Sequence, residues 1–176
     1  MQDILVVVDM QNDFIDGALG TAEAISIVPA AVRRIQNFSG RVLFTRDTHG
    51  PDYLATQEGR MLPVPHCIRD TEGWQLHPAL EALRREPAID KGTFGSAELG
   101  ELLRKADAEE PVRSVTLIGL CTDICVISNA LLIKAFLPEA EIVVDASCCA
   151  GVTPESHQTA LAAMRACQMR IEEPLP

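Results

Sequence analysis

The feature that most limits how this chain can fold is a set of short, largely apolar runs at residues 4–8, 41–46, 115–119 and 141–145, rich in valine and isoleucine. A strand with one wet face alternates apolar and polar side chains, whereas a run apolar at nearly every position asks to be covered on both faces. Runs of that kind separated by stretches of helical period signal βαβ units and a parallel sheet between two helical layers. Helices are expected at about residues 22–38, 98–105, 123–136 and 154–167, with two shorter strands near 88–90 and 170–172. The expectation is a three-layer αβα sandwich on a mainly parallel, six-stranded, Rossmann-like sheet. Thr153 before Pro154, and Thr122 before Asp123, supply the chemistry of a helix start. Residues 48–78 keep no period and carry several prolines and glycines, so they read as a long loop with one short helix, and loops of that length in a compact domain are usually functional.

At 176 residues the chain suits one domain with one core, and no repeat, linker or composition break divides it. Its net charge of −10 argues against nucleic acid or an anionic membrane as partner, because both need clustered cations. The first apolar run is too short for a signal-peptide core and no segment reaches the length of a membrane span, so a cytoplasmic location is expected. Six cysteines in such a chain read as free thiols, five of them as small buried hydrophobes.

The chemically competent residues fall at strand ends. Asp9 closes the first strand, Asp47 the second, Lys91 follows the short third, and Cys121 to Cys125 follow the fourth. In open parallel sheets the ligand crevice lies at the carboxyl ends of the strands, so these groups, distant in sequence, should converge. Cys125, just inside an expected helix N-terminus, would feel unpaired amides that favour thiolate over thiol. Asp9, costly to bury without a partner, can accept a thiol proton and return it to a leaving amine. Lys91 supplies a cation to hold the thiolate and orient the carboxylate. Asp47, His49 and His66 have reasonable spacing for a divalent ion, with Glu58 as a fourth or water-mediated ligand. His77 and His157 read as surface or capping residues.

Four segments carry a resemblance to a known family. DMQNDF (9–14), TRDTH (45–49), KGTFGS (91–96) and GLCTDICV (119–126) are similar, in order, to the motifs of the isochorismatase-like cysteine hydrolases, which include nicotinamidases and related amidases. The resemblance covers residues 3–171. It implies that Asp9, Lys91 and Cys125 form a catalytic triad. It implies a cis peptide between Leu120 and Cys121, with the amides of Cys121 and Cys125 as oxyanion hole. It also implies a metal, with zinc as the expected species, on Asp47, His49 and His66 that receives a ring nitrogen, and a homodimer or homotetramer. Namesake isochorismatases lack the nucleophilic cysteine, so retention of Cys125 favours the amidase branch.

The implied reaction is hydrolysis of a small carboxamide, nicotinamide or a related amide, to acid and ammonia through an acyl-thioester on Cys125. One departure concerns the substrate: where many nicotinamidases carry a tryptophan shortly before the second metal histidine, this chain has Leu62, Pro63, Val64 and Pro65, and its only tryptophan, Trp74, comes later. Phe14 and Tyr53 are the aromatic residues expected to bind substrate. The alternative within the family is a ureido or carbamoyl substrate with no metal requirement. A nucleotide-binding module lacks its G-x-G-x-x-G loop, and a thiol redox protein lacks C-x-x-C.

Overall fold

The computed structural model describes residues 1–173. In chain order the elements are β1 (Gln2–Val8), α1 (Asn12–Ile15), α2 (Ala22–Gln36), β2 (Arg41–Asp47), a short 3₁₀ turn (Tyr53–Ala55), α3 (Gln57–Met61), α4 (Pro78–Glu81), β3 (Ile89–Lys91), α5 (Ala97–Glu109), β4 (Val112–Leu120), a π turn (Thr122–Val126), α6 (Ile127–Phe136), β5 (Glu141–Ala150), α7 (Pro154–Ala166) and β6 (Arg170–Glu172). The six strands form one sheet in the order β3-β2-β1-β4-β5-β6, every neighbouring pair parallel.

The apolar runs are apolar because both sides of the sheet are covered. Along β1, Ile4, Val6 and Val8 face a core shared with Leu99 and Leu103 of α5, Ile133 of α6 and Met164 of α7. Leu5 and Val7 face the opposite core, built with Ile15 of α1, Ile27 and Ile35 of α2 and Leu80 of α4. The alternation follows from the two-residue period of a strand. Helix α2 buries Ala24, Ile27, Ala31 and Ile35, one stripe at spacings of three and four, and opens with the Thr21 hydroxyl accepting from the Ala24 amide at 3.0 Å. Helix α7 starts on a reciprocal Thr153–Ser156 capping box, with Pro154 in the first turn.

Several boundaries differ from the sequence expectation. Strand β5 continues past Asp145 to Ala150, because Cys148 faces one core and Cys149 the other, so the weakly strand-forming stretch Ser-Cys-Cys-Ala is still covered on both sides. The loop at residues 48–78 holds a 3₁₀ turn and α3, not one helix, and α1 and α4 are additional single turns. Thr122 does not cap the helix that follows: its hydroxyl bonds His157 Nδ1 at 2.8 Å, while the Asp123 carboxylate accepts the Val152 amide at 3.0 Å. Among the six free cysteines, Cys167 is exposed, since it sits past the end of α7 and not on its buried stripe. No helix among the described residues is long and apolar enough to cross a membrane.

The order of strands fixes where a ligand can sit. From β1 the chain moves outward to β2 and β3, then returns to β4 on the other side of β1, so the crossovers diverge between β1 and β4 and leave a crevice at their carboxyl ends.

Candidate active site

Each reactive side chain reaches that crevice from a different strand. Asp9 follows β1 with φ of 47°, a left-handed conformation that aspartate tolerates better than most residues. The parallel register of β1 and β2 brings Thr45 alongside, and its hydroxyl donates to Asp9 Oδ1 at 2.6 Å. Asp47 and Lys91 are register partners across β2 and β3. The Lys91 ammonium therefore lies 3.2 Å from Asp47 Oδ1, 2.6 Å from Asp9 Oδ2 and 3.4 Å from the Cys125 sulfur. It also donates to the Thr93 carbonyl at 3.1 Å. Asp9, Lys91 and Cys125 thus meet as the sequence analysis expects, and all three are buried.

Their electrostatics depart from expectation. Burial, then the charge of Asp9, pushes the Cys125 thiol well above its ordinary range, against the pull of Lys91. Burial likewise raises Asp9, although Lys91 opposes it. Lys91 pays desolvation too, yet Asp9, Cys125 and Asp47 together hold it charged. Burial and the carboxylate neighbour thus oppose the thiolate that the turn's amides favour.

Those amides remain available. Cys125 lies not in an α-helical first turn but in the π turn, where the amides of Ile124 and Val126 both go to the Cys121 carbonyl, at 3.1 and 3.0 Å. The amide of Cys121, which lies outside both strand and turn, has no backbone acceptor among the described residues. The peptide between Leu120 and Cys121 is cis, at the expected position. The Cys121 thiol is pushed up to about 12, by burial first and then by Asp123 and Asp9.

The second cluster also assembles. Ligand atoms of Asp47, His49, Glu58 and His66 lie within 4.8 Å of one another. Asp47 Oδ2 is 2.8 Å from His49 Nε2 and 3.6 Å from His66 Nε2. Glu58, from α3, reaches both imidazoles at 3.6 and 3.8 Å. His66 Nδ1 is 2.8 Å from the Val64 carbonyl, which holds the proton on that nitrogen and leaves the Nε2 lone pair to face the cluster in the neutral ring. Two carboxylates and two imidazoles, mostly buried, form an anionic pocket that a divalent cation fits. Without one, burial disfavours protonation of His66, yet its contacts with Asp47, the Val64 carbonyl and Glu58 raise its pKa.

Phe14 lines the cavity between these groups, as expected, but Tyr53 does not. Its ring packs behind the cluster, 4.7 Å from that of His49 and 5.0 Å from that of His66, and its hydroxyl donates to the Leu62 carbonyl. Local aromatic content suggests a wall; only the path of the 48–78 loop shows a buttress. Three polar residues escape sequence reasoning altogether. Gln11 donates to the Asp47 and Trp74 carbonyls and accepts from the Asp47 amide at 2.7 Å. Asp13 accepts the Cys67 amide at 2.7 Å. Asn129 accepts the Ser96 amide and donates to the Cys125 and Phe94 carbonyls. Gln11 and Asp13 stand within the DMQNDF segment, which is the only signal that marks them; Asn129 has none.

The Isochorismatase domain model matches residues 3–173. The chain belongs to the isochorismatase family. Among relatives of this isochorismatase-family chain, the nicotinamidase/pyrazinamidase of Mycobacterium tuberculosis is 27% identical over 95% of this chain and 96% of its own. The crystal structure of a nicotinamidase/pyrazinamidase from Bacillus subtilis superposes with a TM-score of 0.83 at 30% identity, covering 98% of this chain and 100% of that one. A pyrazinamidase of Pyrococcus horikoshii in complex with zinc gives 0.80 at 27% identity, with 98% and 99% covered.

Proposed function

We propose that this isochorismatase-family chain hydrolyses the carboxamide of a small ring amide, nicotinamide or a near relative, to the acid and ammonia. The observation that carries the reading is the meeting of Asp9, Lys91 and Cys125 beneath a cavity whose other wall holds Asp47, Glu58 and His66. The nicotinamidase and pyrazinamidase relatives support it.

The chemistry follows from the charges. As the Cys125 proton passes to Asp9, Lys91 steadies the negative charge that leaves the carboxylate for the sulfur, and the sulfur adds to the amide carbonyl carbon. The carbonyl oxygen gains negative charge opposite the amides of Cys121 and Cys125. Asp9 returns the proton to the nitrogen, the carbon–nitrogen bond breaks and ammonia leaves an acyl-thioester. Asp9 then takes a proton from water, the hydroxide oxygen joins the acyl carbon, and the acid departs as Cys125 regains its proton. One amide and one water give one acid and one ammonia.

Asp47, His49, His66 and Glu58 would hold a divalent ion, zinc by donor type. When bound, it supplies an electrophilic anchor for a ring nitrogen. A ureido or carbamoyl substrate gives such a cluster no task, so the ring amide is the stronger reading. The reading extends to a cytoplasmic homodimer or homotetramer, which the family resemblance implies.

The test is ammonia release from nicotinamide, pyrazinamide and a panel of ureido compounds, with and without chelator. Release from the ring amides, lost on chelation, supports the reading. Release from ureido compounds alone, at a rate indifferent to chelator, overturns it.

A further inference from the structure

The cavity above Cys125 has a volume of about 340 Å³. A single-ring carboxamide fills roughly 130 Å³, four to five times a water molecule's share of the liquid. What surrounds the remainder is one-sided. Polar side chains gather at the reacting end, whereas Leu19, Met61, Leu62, Phe94, Ile124 and Val152 make up most of the rest. Four of these are substantially solvent-exposed, Met61 at 78% and Val152 at 51%, with Phe94 and Leu62 near 40%. No arginine or lysine lines the cavity; Lys91, beneath it, is already engaged by Asp9 and Asp47.

A carboxylate carried on the substrate's far side would lie among these apolar side chains, away from the metal cluster, with no arginine or lysine to receive it. An uncharged apolar group would cover side chains that otherwise face water. From this we infer that the substrate class is an uncharged aromatic carboxamide bearing an apolar substituent, which lies against Leu62, Phe94 and Val152 while the amide lies over Cys125. That the substrate is a carboxamide rests on the amidase reading; the apolar substituent rests on the lining of the cavity. The specificity it adds comes from binding: removal of apolar area from water stabilises the complex in proportion to the area covered.

The experiment uses 5-alkyl pyridine-3-carboxamides, from hydrogen to butyl, and the 5-carboxylate analogue. Affinity is read by calorimetry on the zinc-loaded Cys125→Ala protein, and kcat/KM on the zinc-loaded wild type. Affinity should rise with chain length, reaching on the order of tenfold or more at butyl, and the carboxylate should bind more weakly than the unsubstituted ring. In Val152→Asp and Leu62→Asp, made in the Cys125→Ala background, the gain from the alkyl chain should largely vanish while affinity for the unsubstituted ring holds. Affinity that is flat or falls with chain length, or a carboxylate analogue that binds best, overturns the inference. Tightening affinity with no ammonia released from any of these amides would instead sink the amidase reading and, with it, the carboxamide as substrate, leaving only the apolar wall as the binding surface for the substituent.

Discussion

At the scale of single residues, thiol chemistry and thiol packing separate cleanly. Cys125 is the sulfur beside Lys91, while Cys148 and Cys149 sit on opposite faces of β5, each in an apolar core. Cys125→Ala is expected to lower amide turnover on the order of 10⁴-fold or more, and Cys148→Ala or Cys149→Ala to leave most of it, at a stability cost of about 1 kcal/mol. Equal losses in all three variants would mean that the thiols serve packing. Because burial and Asp9 raise the Cys125 thiol, its alkylation by iodoacetamide without substrate should keep climbing as pH passes the ordinary thiol range. The sign is that of a raised acid: the reactive thiolate appears only at higher pH. Labelling that is already maximal at neutral pH would show a resting thiolate. Asn129 is the residue whose loss should cost most for its size. Its amide joins the Cys125 turn to the loop after β3, and Asn129→Ala leaves a buried N–H and two carbonyls without it. A loss of about 2–4 kcal/mol in urea unfolding is expected, with kcat reduced alongside.

At the scale of elements, the register between β1 and β4 is set by a close approach. Gly119 has φ of +118°, and a Cβ there would stand 2.1 Å from the Val8 carbonyl oxygen. Gly119→Ala is expected to destabilise by roughly 3 kcal/mol or more, or to prevent folding, because backbone cannot yield as a side-chain tip can. Gly92, with open space around its Cβ position, is the control: Gly92→Ala should stay within about 0.5 kcal/mol. Differential calorimetry of the pair decides it. Much of this level was readable beforehand. Apolar runs located four of the six strands, and Asp9, Lys91 and Cys125 stood out together, as a base, a cation and a nucleophile that all stand at or after strand ends. Less readable was whatever depends on a partner far along the chain. The extension of β5 through Ser147 and Cys148 comes from cover by both helical layers, not from propensity. The π turn around Cys125 and the retreat of Tyr53 behind the histidines depend on how loops settle against the sheet, which no local pattern encodes.

At the scale of the whole molecule, the anionic cluster stands on one side of the β1–β4 divide and the nucleophile on the other, so a cation bound at the first should stabilise the fold without touching the second. Zinc at about a hundredfold excess over its Kd is expected to add about 2.7 kcal/mol, roughly 5–10 °C in Tm for a domain of this size. The double variant His49→Ala, His66→Ala should lose that gain. Chelation should reduce ring-amide turnover strongly while iodoacetamide still labels Cys125. Unchanged turnover of the preferred substrate under chelation would remove the cluster from the reaction.

The positions of the two kinds of residue have an evolutionary consequence. Asp9, Asp47 and Lys91 stand at or just past strand ends, so a change in them is felt through the sheet. Met61, Leu62, Phe94 and Val152 lie at the end of α3 or in loops, partly in water, and substitutions at such positions usually cost the fold little. Drift at the mouth of the cavity can thus retune which amides enter without relearning how to cut them. A lineage built on this sheet can explore new diets one exposed side chain at a time, with the cutting edge inherited intact.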